Sequence, residues 1–387
     1  MARDSEATDQ ENAGQIVDLW LDRSIQVKAS DLHFEPDAEG LAVKIRIDGI
    51  LHLVKRVNQE LGKQIISRLM VMASLHTHLQ KKPQEGRADY SSSRTGGKPI
   101  NMRVSTFPTV WGTRAVVRFF HGLERIPQLD QLGYNDKTLE LLKKMAYQTQ
   151  GMILIAGPAG SGKTTTIYSF LHHILGARPG CSVISIEDPV EYSVEGITQV
   201  QIGQYAGGLT YKDALKSLLR QDPQVVAIGE VRDPDTAAIV LEAALTGHLL
   251  ISTIHSPTVA GAVLRLVDMG LAPYQLTGAL TGIVAQRLVR RLCTNCRVAT
   301  NDPNEPYVSG GCTKCFKTGY RGRIPVAEAA HMTKSFRQAI IQGQDVSGIQ
   351  AALKADGLPT LREDAHRLVR SGITSSNQVT ELLHSLE

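Results

Sequence analysis

The stretch GPAGSGKTT, residues 157–165, constrains this chain more than any other part of it. An apolar run, MILIA, leads into it, and a helix-forming run, TTTIYSFLHHIL, leads away. A strand, a G-x-x-x-x-G-K-[ST] loop and a helix in that order build a cradle for nucleotide phosphates. Gly157, Gly160 and Gly162 let the backbone curl until its N–H groups point inward at anionic oxygens. The start of the following helix adds the positive end of its dipole. Lys163 contributes a point charge for the β- and γ-phosphates, and the Thr164 hydroxyl is suited to Mg²⁺. The candidate ATP-binding set is therefore Gly157, Pro158, Ala159, Gly160, Ser161, Gly162, Lys163, Thr164 and Thr165.

Such a loop needs a parallel sheet around it, and the flanking sequence supplies one. GMILIAG, CSVISIE, QVVAIGE and HLLISTI are short, β-rich apolar runs separated by helical patterns. That alternation predicts a parallel sheet with helices on both faces. Ligands gather at the carboxyl ends of such strands. Glu230 falls at the end of QVVAIGE, and Glu187 with Asp188 at the end of CSVISIE; a carboxylate there orients or deprotonates a water. His255 ends a third strand, in reach of phosphate or merely structural.

Upstream the rhythm differs. After the polar start MARDSEATDQENAG, residues 15–27 are spaced as an amphipathic helix. DLHFEP, LAVKIRI and GILHLV read as strands, with Asp48-Gly49 as a hairpin turn. Residues 58–76 read as a helix, 83–99 as a loop with a strand entering it, and NMRVSTF and TRAVVRFF as further strands. The predicted organisation is a polar leader with a short helix (1–29), a small α+β domain (30–120), a linker (121–134) and an α/β domain (135–387). The length of 387 residues suits two domains.

A net charge of +4 is slight for this length and argues for no nucleic-acid partner. No apolar run is long enough to span a bilayer, and the acidic start is the reverse of a signal peptide. These features predict a cytoplasmic chain that meets a membrane only through a partner.

Four of the five cysteines form two pairs, Cys293-x-x-Cys296 and Cys312-x-x-Cys315, separated by residues 297–311. In a reducing compartment four thiolates at this spacing suit a closed tetrahedral Zn²⁺ site within 287–322. The alternatives are a redox pair or unligated thiols. Cys181 reads as a small core residue. The basic run QRLVRRLC (286–293) reads as a helix face making salt bridges rather than a nucleic-acid patch, because no aromatic residues interleave with it.

With these residues in view the chain resembles the secretion-ATPase superfamily of type II secretion and type IV pilus assembly motors. The resemblance runs from about Ser30 to the C-terminus. It rests on SDLHFEP, RIDG, PQEGR, the phosphate loop, IEDPVEY, LLRQDP…GEVRD, ALTGH…STIHS and GCTKC…TGYRGR, in that order. It implies a PAS-like α+β domain followed by a RecA-like ATPase domain with a small zinc-binding insertion and a helical C-terminal tail. Six subunits would form a ring, with ATP between the two domains, working on an inner-membrane platform protein. Glu187 and Glu230 would handle water and Mg²⁺, and His255 would lie near the γ-phosphate. Arg103 and Arg118 match the family's N-terminal-domain arginines that neutralise phosphate charge. Retraction motors of the family generally lack the cysteine pairs, so the implied activity is pilus assembly or secretion. Retraction, and a RecA-like motor on nucleic acid, are the alternatives.

Overall fold

A computed structural model describes residues 12–384, apart from 80, 93–96, 98, 121–125, 192 and 203–209. The chain divides into two units, residues 1–123 and 124–387.

In the first unit, helix α1 (Ala13–Gln26) begins where the Asn12 side chain accepts a hydrogen bond from Gly14 N. Its Val17, Trp20 and Leu21 are buried in the same core as Leu32, Phe34 and Leu69. The helical part of the polar start is thus one wall of this unit. The strands β1 (Asp31–Asp37), β2 (Gly40–Ile47), β3 (Ile50–Val57), β4 (Gln84–Tyr90), β5 (Ile100–Thr109) and β6 (Gly112–Phe120) form an antiparallel sheet in the order β3-β2-β1-β6-β5-β4. The predicted Asp48-Gly49 turn is present, with both residues at positive φ (48° and 89°) and Ile47 opposite Ile50. Helix α2 (Gln59–Met72) ends earlier than expected. Ser74 adopts φ 55°, and Gln84 of β4 binds both the N–H and the carbonyl of His76, holding that segment away from the helix axis. Residues 84–90, within the stretch read as a loop with a strand entering it, pair with β5 along their whole length.

The second unit contains α3 (Asp136–Ala146), β7 (Gly151–Ala156), α4 (Lys163–Ala177), β8 (Val183–Glu187), β9 (Thr198–Gln201), α5 (Tyr211–Leu218), β10 (Val225–Ile228), α6 (Pro234–Leu245), β11 (Leu249–Ile254), α7 (Val259–Asp268), α8 (Pro273–Ala279), β12 (Leu280–Leu292), β13 (Val298–Ala299), β14 (Tyr307–Val308), β15 (Tyr320–His331), α9 (Lys334–Ile341), α10 (Val346–Ala355), α11 (Leu361–Arg370) and α12 (Ser376–His384). The sheet order is β15-β12-β7-β11-β10-β8-β9, parallel except for the β12–β15 pair. Four of its five inner strands, β7, β11, β10 and β8, are the four apolar runs read from the sequence. They are buried along their full length, as strands covered on both faces must be. One face packs on α5 to α10 and the other on α3 and α4.

The run QRLVRRLC is a correction. It is strand, not helix: Gln286–Leu292 close β12 and pair antiparallel with β15. Polar pairs, Gln286-Arg287 and Arg290-Arg291, flank Leu288-Val289 in a strand one place from the sheet edge, and such pairing mimics helical periodicity over so short a window. Among the described residues no helix is long and apolar enough to cross a membrane.

Candidate functional site

The phosphate loop connects the carboxyl end of β7 to α4, at the centre of the sheet. Its glycines are needed where they stand. Gly160 and Gly162 have φ of 74° and 87°, and a Cβ on Gly157 would lie 2.5 Å from the Gln286 carbonyl. Lys163 Nζ donates to the carbonyls of Gly157 (2.8 Å) and Pro158 (2.9 Å), so its ammonium hangs over the loop. Burial pushes the Lys163 pKa down, and the charge of Glu230 opposes this. A half-buried cation beside a curl of main-chain amides is the donor set that polyphosphate requires.

The acidic strand ends converge on the same spot. Glu230 lies two residues beyond β10, and its segment is pinned from both sides: Gly229 N donates to Ile186 O (2.8 Å), and Val231 N to Thr253 O (3.0 Å). Its carboxylate is only 12% exposed, 2.7 Å from Arg232 Nε and 3.1 Å from His255 Nε2. His255 therefore meets the carboxylate that the sequence placed at a different strand end. Glu187, at the end of β8, is buried and accepts hydrogen bonds from Tyr168 Oη, Ser185 Oγ (2.6 Å) and Gln199 Nε2 (3.0 Å). Glu230, Arg232, Glu187, Tyr168 and Ser185 border one cleft of about 130 Å³, together with Thr164 and Asp188.

Two residues of the site escaped the sequence reading. Glu191 accepts a hydrogen bond from Thr164 Oγ1 (3.4 Å), so this second glutamate of IEDPVEY, not Glu187, touches the hydroxyl expected to meet Mg²⁺. The residue as a whole is exposed, yet its carboxylate faces the cleft. Burial there, followed by the charge of Glu187, raises its pKa, while the Thr164 hydroxyl pulls the other way. The repeated acid in EDPVE was the available signal. Gln286 of β12 is the second. Its Oε1 accepts from Tyr134 Oη (2.5 Å) and Thr166 Oγ1 (3.0 Å), and its Nε2 donates to Ser161 O (2.7 Å). This buried network fastens the loop and the first turn of α4 to the neighbouring strand, and no local signal marks it.

The four cysteines come together at the far end of the β12–β15 hairpin. Sγ–Sγ distances are 4.0 Å for Cys293–Cys312, 3.7 Å for Cys296–Cys315 and 3.7 Å for Cys312–Cys315, and all four sulfurs lie within 4.8 Å of one another. A tetrahedral Zn²⁺ with Zn–S of about 2.3 Å sets sulfur edges of about 3.8 Å, so the donor set fits zinc. No pair is disulfide-bonded. The backbone N–H groups of Cys312 and Gly319 point at Cys315 Sγ (3.3 Å each), as donors to a thiolate ligand would. Cys181 is half-buried against the core beside α4.

In the first unit, Arg103 Nε pairs with Glu85 (3.0 Å) and its guanidinium lies over the Phe120 ring. Arg118 Nε pairs with buried Asp31 (2.9 Å) and stays 63% exposed.

A phosphate loop at the centre of a mainly parallel sheet, with carboxylates at the neighbouring strand ends, defines a P-loop nucleotide hydrolase. Residues 6–381 match the family described as Type II/IV secretion system protein, and the chain belongs to that family. It is 37% identical to the type II secretion system protein HxcR of Pseudomonas aeruginosa, over 94% of this chain and 76% of that protein. It is also 37% identical to the type IV pilus assembly ATPase PilB of Thermus thermophilus, over 96% of this chain and 43% of PilB. In fold it is similar to the ATPase DotB of Legionella pneumophila, with a TM-score of 0.74 at 18% identity, covering 98% of each chain.

Proposed function

We propose that this chain is an ATP-driven motor of type II secretion or type IV pilus assembly, its second unit a RecA-like ATPase domain and its first a PAS-like domain. The observation that carries the reading is the meeting of Lys163, Thr164, Glu191 and Glu230 at the carboxyl ends of parallel strands. Main-chain amides of 157–165 and Lys163 hold the polyphosphate, and Thr164 holds Mg²⁺ with help from the acids. Mg²⁺ held by Thr164, with Glu191 and Glu230 beside it, would offset the charge of the phosphates. Glu191 and Glu230 orient a water and accept its proton as its oxygen bonds to phosphorus and ADP leaves. His255 and Arg232 fix the Glu230 carboxylate. Glu187, held by Tyr168, Ser185 and Gln199, acts by positioning this strand end. Arg103 and Arg118 supply further positive charge to the phosphates.

In this reading the chain works as a homo-hexamer at the cytoplasmic face of the inner membrane, on a platform protein, with no nucleic-acid partner. Zn²⁺ held by Cys293, Cys296, Cys312 and Cys315 is structural, and the helices after β15 form the C-terminal tail.

The test is a pair of variants. Lys163→Ala is expected to abolish ATP binding. Glu230→Gln is expected to keep binding and lose turnover by roughly 10²-fold or more. Wild-type turnover in Glu230→Gln would remove its catalytic role.

A further inference from the structure

Glu328 lies partly buried in β15, opposite Ala285 of β12, and has no part in the site described above. Its Oε1 accepts from Val259 N, the first amide of α7 (2.6 Å). The same carboxylate accepts from Leu361 N, the first amide of α11. The first amides of a helix have no partner within it. In both helices the capping threonine serves a later one: Thr258 Oγ1 accepts from Gly261 N (3.1 Å), and Thr360 Oγ1 from Glu363 N (3.2 Å). Glu328 therefore supplies the acceptor that neither cap reaches, at a position where two helix dipoles favour an anion. Burial raises its pKa, and the two amides work against that.

The start of α7 is close in the chain to the hydrolysis site. Three residues, Ser256, Pro257 and Thr258, separate Val259 from His255. They form a braced turn. Ser256 is buried, its N donates to Ile254 O (3.1 Å) and its Oγ to Thr258 O (3.0 Å), and a Cβ on Gly261 would lie 2.7 Å from that Oγ. So tight a turn has little slack. Holding Val259 holds His255, whose Nε2 lies 3.1 Å from Glu230.

Resting on the reading of Glu230 as the carboxylate that handles water, we propose that Glu328 is a positioning residue for hydrolysis, which clamps the first amide of α7 and so fixes His255 against Glu230. Because the same carboxylate clamps α11, this arm of the hydrolysis site is tied to the C-terminal helices.

The experiment measures kcat, ATP affinity and Tm for Glu328→Gln and Glu328→Ala, each alone and combined with His255→Ala. Glutamine keeps the shape but turns N–H donors toward one of the two amides, and alanine removes both acceptors. Each single variant is expected to lose kcat by about tenfold, with ATP affinity at the wild-type value, because misplacing a group costs rate even when binding is intact. In the His255→Ala background the same substitutions should cost nothing further, since the carboxylate acts through the histidine. A cap that only stabilises the fold would lower Tm and leave kcat alone. That result, losses that add to those of His255→Ala, or wild-type kcat in His255→Ala itself would each overturn the positioning role. Glu328→Gln, which conserves volume, carries the test should the alanine variant fail to fold. Wild-type turnover in Glu230→Gln would instead take down the hydrolysis reading on which the clamp rests.

Discussion

Two carboxylates that share a short motif, Glu187 and Glu191, have different surroundings and so different uses. Glu187 receives three hydrogen bonds from neutral donors. Such bonds hold a carboxylate in place. Glu191 meets only the Thr164 hydroxyl among the described partners, and burial and the Glu187 charge raise its pKa. The sign follows directly. A raised pKa means that the acid keeps its proton to a higher pH than an ordinary glutamate, and only the ionised form can take a proton from water. Turnover should therefore climb with pH through the Glu191 titration, giving an acid limb above the usual carboxylate range. Glu191→Gln should remove that limb and lower kcat by roughly 10²-fold, whereas a pH profile unchanged in shape would deny Glu191 the role of base.

Among the elements, the β12–β15 hairpin does the most joining. The middle of β12 carries Gln286 against the phosphate loop, and its far end leads Cys293 into the cysteine cluster. The cluster region has little core of its own: β13 and β14 are two-residue strands, and Val298 is exposed. What ties it down are Leu292 N to Ile373 O (2.8 Å), Arg297 to Gly372 O (2.9 Å), and Arg297 stacked on Tyr307 at 4.0 Å. A metal is the natural way to hold so small a segment. Metal analysis of the purified protein is expected to give one zinc per chain. Cys315→Ser should lose it and lower Tm by roughly 10 °C, taking about 3 kcal/mol of lost cross-linking. A folded Cys₄ protein without metal, melting at the wild-type temperature, would rule out a structural zinc.

On the scale of the whole molecule, the two units have separate cores, one main sheet each, and different strand rules. The antiparallel sheet of the first unit is covered by α1 and α2, and the parallel sheet of the second on both faces. A motor of this family is proposed to act as a ring, so light scattering with ATP and Mg²⁺ should give six times the 42.1 kDa chain mass. A monomer under all nucleotide conditions would remove the ring from the mechanism.

What the sequence determined by itself was whatever chemistry a contiguous stretch can hold: the loop 157–165, the acids that end apolar strands, and the paired cysteines. These are legible because the backbone of one strand–turn–helix, or one knuckle, sets their geometry locally. The tertiary structure alone decided which distant groups complete them. Gln286 reaches Thr166 across 120 residues of chain, and Glu328 meets Val259 across 69 residues because β15 returns beside β12. Strand order is set by how the apolar faces of all the elements bury one another, and that is a property of the assembled core rather than of any segment.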